Sequence, residues 1–340
     1  LVGTPLLINM LRKRGMAQAI RESTGDVLYP EHGSKRGTPS MGGVAIVISV
    51  TMAYFLAHLI MWRPPTISGY LALYLMFSLS LVGLADDYLK IFKQRSTGIR
   101  ARTKLLGQAT AALSFGFLAM HFPDEGNRFP MSSSISLVRD LRIVLPAALV
   151  LLWVWFLVTG ITNGVNLTDG LDGLAAGAAV MTFAAYTVVS VWQYGQNCAF
   201  GELARCYTVR DPLDLAVFAS ACAGATFGFL WWNASPARIW MGDTGSLGLG
   251  GAMAALAIMT RTELLLGLLG GLFLIVTLSV IAQVGSFKLL GRRVLRMAPL
   301  HHHFEMLGWP EILIVVRFWI IQGSFIALGM AVFYAEWVRQ

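Results

Sequence analysis

Apolar runs of membrane-crossing length recur along the whole chain, and no other feature limits the possible fold so severely. Segments free of Asp, Glu, Lys and Arg fill 41–62, 64–85, 105–123, 143–168, 173–201, 215–237, 244–260 and 264–287. Residues 312–335 join them, interrupted only by Arg317. A helix needs ~20 apolar residues to cross the hydrocarbon core, and only a helix satisfies its own backbone polar groups there as a single segment. The runs therefore predict nine spans, and LVGTPLLINML (1–11) is the visible half of a tenth. The chain begins on Leu1 rather than Met, so the first span is expected to be truncated at its N-terminus. Only 13% of the residues are charged, where a soluble domain carries about a quarter. The predicted class is all-α: a polytopic integral membrane protein of about ten transmembrane helices, forming one domain over 1–340. A lone signal peptide accounts for none of this.

With ten spans, every other loop lies on the same membrane face. The first, third, fifth, seventh and ninth contain HGSKRGTPSMGG, ADDYLKIFKQRSTGIRARTK, TNGVNLTDGLDG, NASPARIWMGDTGS and GRRVLRMAPLHHHFEMLGWPE. The even loops hold little that suggests chemistry. With their flanks, the odd loops carry 17 of the 26 Lys and Arg, against 10 of the 18 acids. The positive-inside rule assigns that face to the cytoplasm and puts both termini outside. Cys198 and Cys206 then share an outer loop, where a disulfide can persist, although spacing alone fits two free thiols as well. Cys222 lies inside a span and reads as packing.

Several function classes are excluded. The phosphate-cradling GxxxxGK[ST] is absent, and GLGGAM (248–253) lacks the last Gly of GxGxxG. No internal repeat or soluble-domain linker is visible. The net charge of +8 suits anionic lipid or an anionic substrate. Nucleic acid is not an expected partner, because the basic residues lie against a membrane.

The polar loops contain four constellations. Asp86 and Asp87 close the third span with Lys90 one turn on, at the negative pole of the helix dipole, which disfavours carboxylates. They read as a solvated helix end paired with lysine, or as a cation site or general base at the membrane surface. Asn163, Asn166, Asp169 and Asp172 follow at intervals of three, which on a helix stacks them along one face. Capping by Thr168 or Asp169 would explain one of the four. Such a face suits a hydroxyl- and amide-rich ligand or a hydrated cation. Asp243, in WMGDTGS, is either a helix N-cap or part of a Gly-flanked turn that phosphate oxygens can approach. His301, His302 and His303 lie downstream of Arg292, Arg293 and Arg296. With no Cys or HExxH nearby they do not read as zinc ligands, and fit general acid work or phosphate contact.

Hard oxygen donors without a fixed cage favour Mg²⁺ shared with substrate phosphates. Phosphoryl transfer asks for charge neutralisation, in-line positioning and a prepared nucleophile. A site bordered by membrane suggests that one reactant is a lipid. The residues alone thus predict Mg²⁺-dependent phosphoryl transfer onto or from a lipid.

The order SKRGTPSMGG, ADDYLK, NGVNLTDGLDGLA, MGDTGSLGLGG, QVGSFK, APLHHHFE and GWPE resembles the polyprenyl-phosphate N-acetylhexosamine-1-phosphate transferase superfamily over nearly the whole chain. The HHHFE–GWPE block is similar to its phospho-N-acetylmuramoyl-pentapeptide-transferase branch. Ser40 stands where that branch often has Thr. The resemblance implies a single catalytic domain in the bacterial cytoplasmic (inner) membrane. It implies UDP-N-acetylmuramoyl-pentapeptide and undecaprenyl phosphate as substrates, lipid I and UMP as products, Mg²⁺ as cofactor, and it allows a homodimer. Carried over by motif, Asp243 is the metal ligand, and Asp86 or Asp87 deprotonates or positions the lipid phosphate, with Lys90 and Thr38 beside the substrates. Lys35, Gly170, Leu171, Asp172, Trp240 and Gln283 form a uridine pocket with Trp240 stacked on the base. Asn166, Asp169, Asn233, His301, His302 and His303 line the diphosphate and sugar, His302 with a catalytic role, and Asn163 is a further substrate-binding residue.

Two rival readings make different predictions. A sister transferase would accept a UDP-N-acetylglucosamine donor. A transporter would carry ionisable residues at mid-span, whereas here they gather at the ends.

Overall fold

The computed structural model describes residues 1–13, 37–92, 98–198 and 206–339. The elements are α1 (Gly3–Lys13), α2 (Gly43–Met61), α3 (Ile67–Phe92), α4 (Ala101–Ala119), β1 (Ser134–Ser136), β2 (Asp140–Val144), α5 (Ala147–Thr168), α6 (Leu174–Gly195), α7 (Pro212–Asn233), α8 (Gly242–Met259), α9 (Leu266–Leu269), α10 (Gly271–Leu290), α11 (Leu300–Glu305) and α12 (Glu311–Arg339). Among the described residues, each predicted apolar run contains a helix. The breaks fall where local chemistry requires them. Trp62 closes α2 in the left-handed conformation and Pro64 and Pro65 follow, and proline cannot continue a helix interior. Pro212 opens α7 at its first turn, where a missing N–H costs nothing.

Among the described residues, seven helices are long and apolar enough to cross a membrane: α2, α3, α5, α6, α7, α10 and α12. The protein is an all-α polytopic membrane protein. Three of the ten expected spans fall short of that standard for separate reasons. The first is the 11-residue α1. The second is α4, which opens with Arg102, Lys104 and Gln108. The third is α8, whose 18 residues include Gly242, Gly245, Gly248, Gly250 and Gly251.

That third exception organises the bundle. From Asp243 to Met259 every residue of α8 is buried, enclosed by α2, α3 and α5. Small side chains permit this, as they do in membrane helix packing generally. A Cβ at Gly43 would run into the Gly245 backbone, one at Gly83 into the Asp243 carbonyl, and one at Gly250 into the Thr162 backbone. The outer helices instead expose Ile48, Met52 and Leu59 on α2, Leu278 and Ile281 on α10, and Ile320 and Leu328 on α12. Exposed apolar faces of this extent belong against lipid.

The sequence reading missed a short hairpin. β1 and β2 pair antiparallel with Ser134 opposite Val144 and an irregular register. It lies at the end of the bundle where α2 stops and α7 starts. There Tyr54 and His58 bond Asp214 at 2.8 and 2.9 Å, and Ser136 N–H donates to Glu263 at 3.0 Å. Cys198 and Cys206 form a disulfide at the same end, which resolves the choice the spacing left open. The other end, where α3 and α5 stop and α8 starts, carries the polar centre.

Candidate active site

Four carboxylates and two ammonium groups meet at that end. Lys90, one turn beyond Asp86 on α3, holds Asp86 at 2.6 Å and Asp243 at 2.8 Å. Lys104, from the first turn of α4, pairs with the other oxygen of Asp243. Asp86 and Asp87 are each 2% exposed, so the solvated-helix-end reading fails. Burying charges is costly unless they are paired and hydrogen-bonded; Asp86 is ion-paired with Lys90, and Asp87 is held by hydrogen bonds instead. Asp86 also accepts the Ile99 N–H at 2.6 Å. Asp87 turns away from the lysines and accepts the backbone N–H groups of Asp243 and Thr244, both at 2.9 Å. Nor is Asp243 an N-cap. It lies inside the first turn of α8, whose boundary residue is Met241 with no side-chain cap.

The Asn/Asp ladder is present but divided, because α5 ends at Thr168 and the last two members follow turn geometry instead of helical spacing. Asn163 donates to the Thr159 carbonyl and, at 3.3 Å, to Gln108 of α4. Asn166 donates to Ser246 of α8 at 2.9 Å. Asp169 accepts the Gly242 N–H, and burial, then the nearby Asp243 and Asp87, push its carboxyl up to about 7. Asp172 accepts the Ala237 N–H at 3.0 Å. Gly173 opens α6 with no side-chain cap, so capping of that helix does not explain Thr168 or Asp169.

The histidines reach the same neighbourhood. A Cβ on Gly170 would collide with Nε2 of His301 and meet Nε2 of His302 at 3.2 Å. His301 is fully buried with neither ring nitrogen bonded. Burial, reinforced by His302, lowers its pKa well below the ordinary histidine value. His302 pairs with Glu305, and His303 accepts the Arg296 N–H at 3.1 Å. Buried Leu171 lies between Gly170 and Asp172.

A second cluster adjoins through backbone pairing. Trp240 N–H donates to Pro39 O at 2.9 Å, and Gly42 and Gly43 N–H donate to Trp240 and Met241 O, each at 2.8 Å. This brings half-buried Thr38 and half-buried Trp240 together. Asn233 is buried and donates to Ile239 O at 3.0 Å, which shapes the approach to Trp240. Gln283 lies on α10. Its amide is occupied by Val294 N–H, Leu295 N–H and Leu295 O, so it clamps the turn after α10. Lys35 lies outside the described residues.

Lys104 escaped the sequence reading, as did Thr244, Ser246 and Gln108. The one available signal for Lys104 was a basic residue at the edge of an apolar run on the odd-loop face. Among the described residues no three His, Cys, Asp or Glu side chains form a metal-holding group. The donor set nevertheless fits a divalent cation shared with a ligand. Asp86 and Asp243 offer only oxygens beside Lys90 and Lys104, and Asp87 and Asp169 lie close by.

Fold and site together define a polytopic membrane protein with a compact charged centre buried at one end of its bundle. Residues 69–261 match glycosyl transferase family 4, and residues 35–47 match phospho-N-acetylmuramoyl-pentapeptide-transferase signature 1. A phospho-N-acetylmuramoyl-pentapeptide-transferase of Streptomyces avermitilis is 54% identical over 100% of this chain and 95% of its own length. One from Streptomyces griseus subsp. griseus is 53% identical over 100% and 96%, and one from Kineococcus radiotolerans 54% over 99% and 95%. The chain belongs to glycosyl transferase family 4 and, within it, to the phospho-N-acetylmuramoyl-pentapeptide-transferases.

Proposed function

We propose that the chain transfers phospho-N-acetylmuramoyl-pentapeptide from its UDP-linked form to undecaprenyl phosphate, giving lipid I and UMP. An oxygen of the lipid phosphate bonds to the sugar-linked phosphorus, and the bond from that phosphorus to the UMP oxygen breaks. One pyrophosphate linkage replaces another, so the protein has to position the partners and offset their charge. The observation that carries this reading is the shared grip of Lys90 on Asp86 and Asp243 beside the 163–172 segment.

Lys90 and Lys104 supply positive charge to incoming phosphates. In this reading Asp86 accepts a proton from the lipid phosphate, and Asn166 and the histidines bind the diphosphate and sugar, with Asn163 as a further substrate contact. Half-buried Trp240 offers a stacking surface for uracil. Mg²⁺, held through Asp243 with the adjacent acids, would neutralise charge on the diphosphate.

The disulfide supports a cytoplasmic site. Disulfides persist in oxidising compartments, and Cys198–Cys206 marks the end opposite Asp243. One catalytic domain in the inner membrane accommodates all of this. Purified protein given undecaprenyl phosphate, Mg²⁺ and UDP-N-acetylmuramoyl-pentapeptide should release UMP, and chelation should stop it. Release with UDP-N-acetylglucosamine instead would favour the sister transferases.

A further inference from the structure

Asp86 and Asp87 are adjacent, yet the structure gives them different neighbours. Asp86 turns to Lys90 and lies against the Asp243 side chain. Asp87 directs both oxygens at the first turn of α8. Its Oδ1 accepts the Asp243 N–H at 2.9 Å, and its Oδ2 accepts the Thr244 N–H at 2.9 Å and the Thr244 hydroxyl at 2.6 Å. The first four N–H groups of a helix have no partner within it, and α8 has no side-chain cap of its own. A carboxylate at that positive end is also favoured by the helix dipole.

The fit depends on one residue. Gly242 has φ +73°, and a Cβ there would meet Asp87 Oδ2 at 2.7 Å. Any side chain would displace the carboxylate, and glycine also takes that backbone conformation without strain.

We propose that Asp87 is a positioning residue: it caps α8 from the neighbouring helix and thereby fixes the place of Asp243. Asp86 alone of the pair is left to meet substrate. Three donors already occupy Asp87, and they come from backbone and hydroxyl groups that have no other task. The inference deepens the transferase reading and rests on it for the role of Asp243. The cap itself does not depend on that reading.

The test compares Asp87→Asn, Thr244→Val and Thr244→Ser in the full-length protein by amide exchange and by UMP release. Amide exchange of the 242–246 segment reports the cap without substrate or metal. Asp87→Asn keeps one acceptor and should speed that exchange roughly 5- to 30-fold, the size of a lost cap. Thr244→Val should act in the same direction, and Thr244→Ser, which keeps the hydroxyl, should match wild type. Turnover of Asp87→Asn should need more Mg²⁺ but recover to within about tenfold of wild type at saturation, with an unchanged pH profile. Unchanged exchange in Asp87→Asn would overturn the proposal. So would accelerated exchange with no turnover at any Mg²⁺ concentration or pH, since that is the behaviour of a lost proton acceptor. Absence of UMP release from wild type would count against the transferase reading instead, while the exchange result would still decide the cap.

Discussion

Replacing Asp243 by Asn separates two contributions that a buried ion pair combines. The Asp243 carboxylate lies 2.8 Å from Lys90 Nζ and also holds Lys104. At an effective dielectric of about 20, a 2.8 Å pair attracts by about 6 kcal/mol before desolvation is subtracted. Measured losses on removing one partner of a buried pair are about 3–5 kcal/mol. The Lys90 and Lys104 side chains are 18% and 17% exposed, so solvent screens them little. Lys90 keeps Asp86 in the variant, which favours the lower value of ~3 kcal/mol. For a chain of this length that lowers the unfolding midpoint by ~4 °C.

Lys104 is the residue left without its acid, so Asp243→Asn combined with Lys104→Met should regain most of the lost stability. Activity should not return. Losing a preorganised charge at the reacting phosphates costs on the order of 10²–10³ in rate, whatever happens to the lysine. Thermal unfolding in detergent and UMP release measure the two quantities on the same samples. A single variant keeping more than about a tenth of wild-type turnover, a loss under ~1.4 kcal/mol, would refute the catalytic half of this reasoning. A double variant no more stable than the single one would refute the electrostatic half.

Trp240→Ala should raise KM for the nucleotide donor roughly 5- to 150-fold, the worth of one base–aromatic stack, with little change for the lipid; steady-state kinetics with each substrate varied distinguish the two. Glu263, in the turn after α8, is pushed by burial above the usual carboxylate range to about 7. A raised acid favours the folded state below its unfolded pKa, and that stability is lost as pH rises from about 4.5 to 7, by at most roughly 3 kcal/mol. Glu263→Gln should flatten that part of the stability–pH curve, read from thermal midpoints between those limits. A single cysteine at Asn127 should react with an impermeant thiol reagent in intact cells while one at Arg293 stays protected. Reducing Cys198–Cys206 should cost roughly 2–3 kcal/mol of stability for so short a loop.

Much of this architecture was legible in hydropathy and loop parity alone. Charge-free runs marked the helices because lipid admits few other structures, and alternation placed Asp86, Asp169, Asp243 and the histidines at one end without any distance being known. Run length could not show that α8 is enclosed by protein. Its glycines lower its hydropathy, yet they are what allows α2, α3 and α5 to approach its backbone. Periodicity also misled at 163–172, since spacing by three describes a single face only while the helix lasts, and α5 stops at Thr168. Lys104 stayed hidden because its partner is 139 residues away, and no local pattern encodes that pairing.

The location of the charges also explains how a largely apolar chain can hold them. At mid-span, an acid has few partners and a high desolvation cost. At the end of the bundle, α8 presents unpaired N–H groups, α3 contributes Asp86, Asp87 and Lys90 within two turns, and α4 contributes Lys104 from its first turn. Each acid therefore finds a donor before any ligand arrives. This arrangement has a consequence for binding. Anionic phosphates compete with Asp86 and Asp243 for Lys90 and Lys104, and each lysine drawn toward a phosphate leaves carboxylate oxygens exposed. An entering divalent cation satisfies those oxygens. Substrate and cation binding should thus reinforce one another, because each relieves the imbalance the other creates.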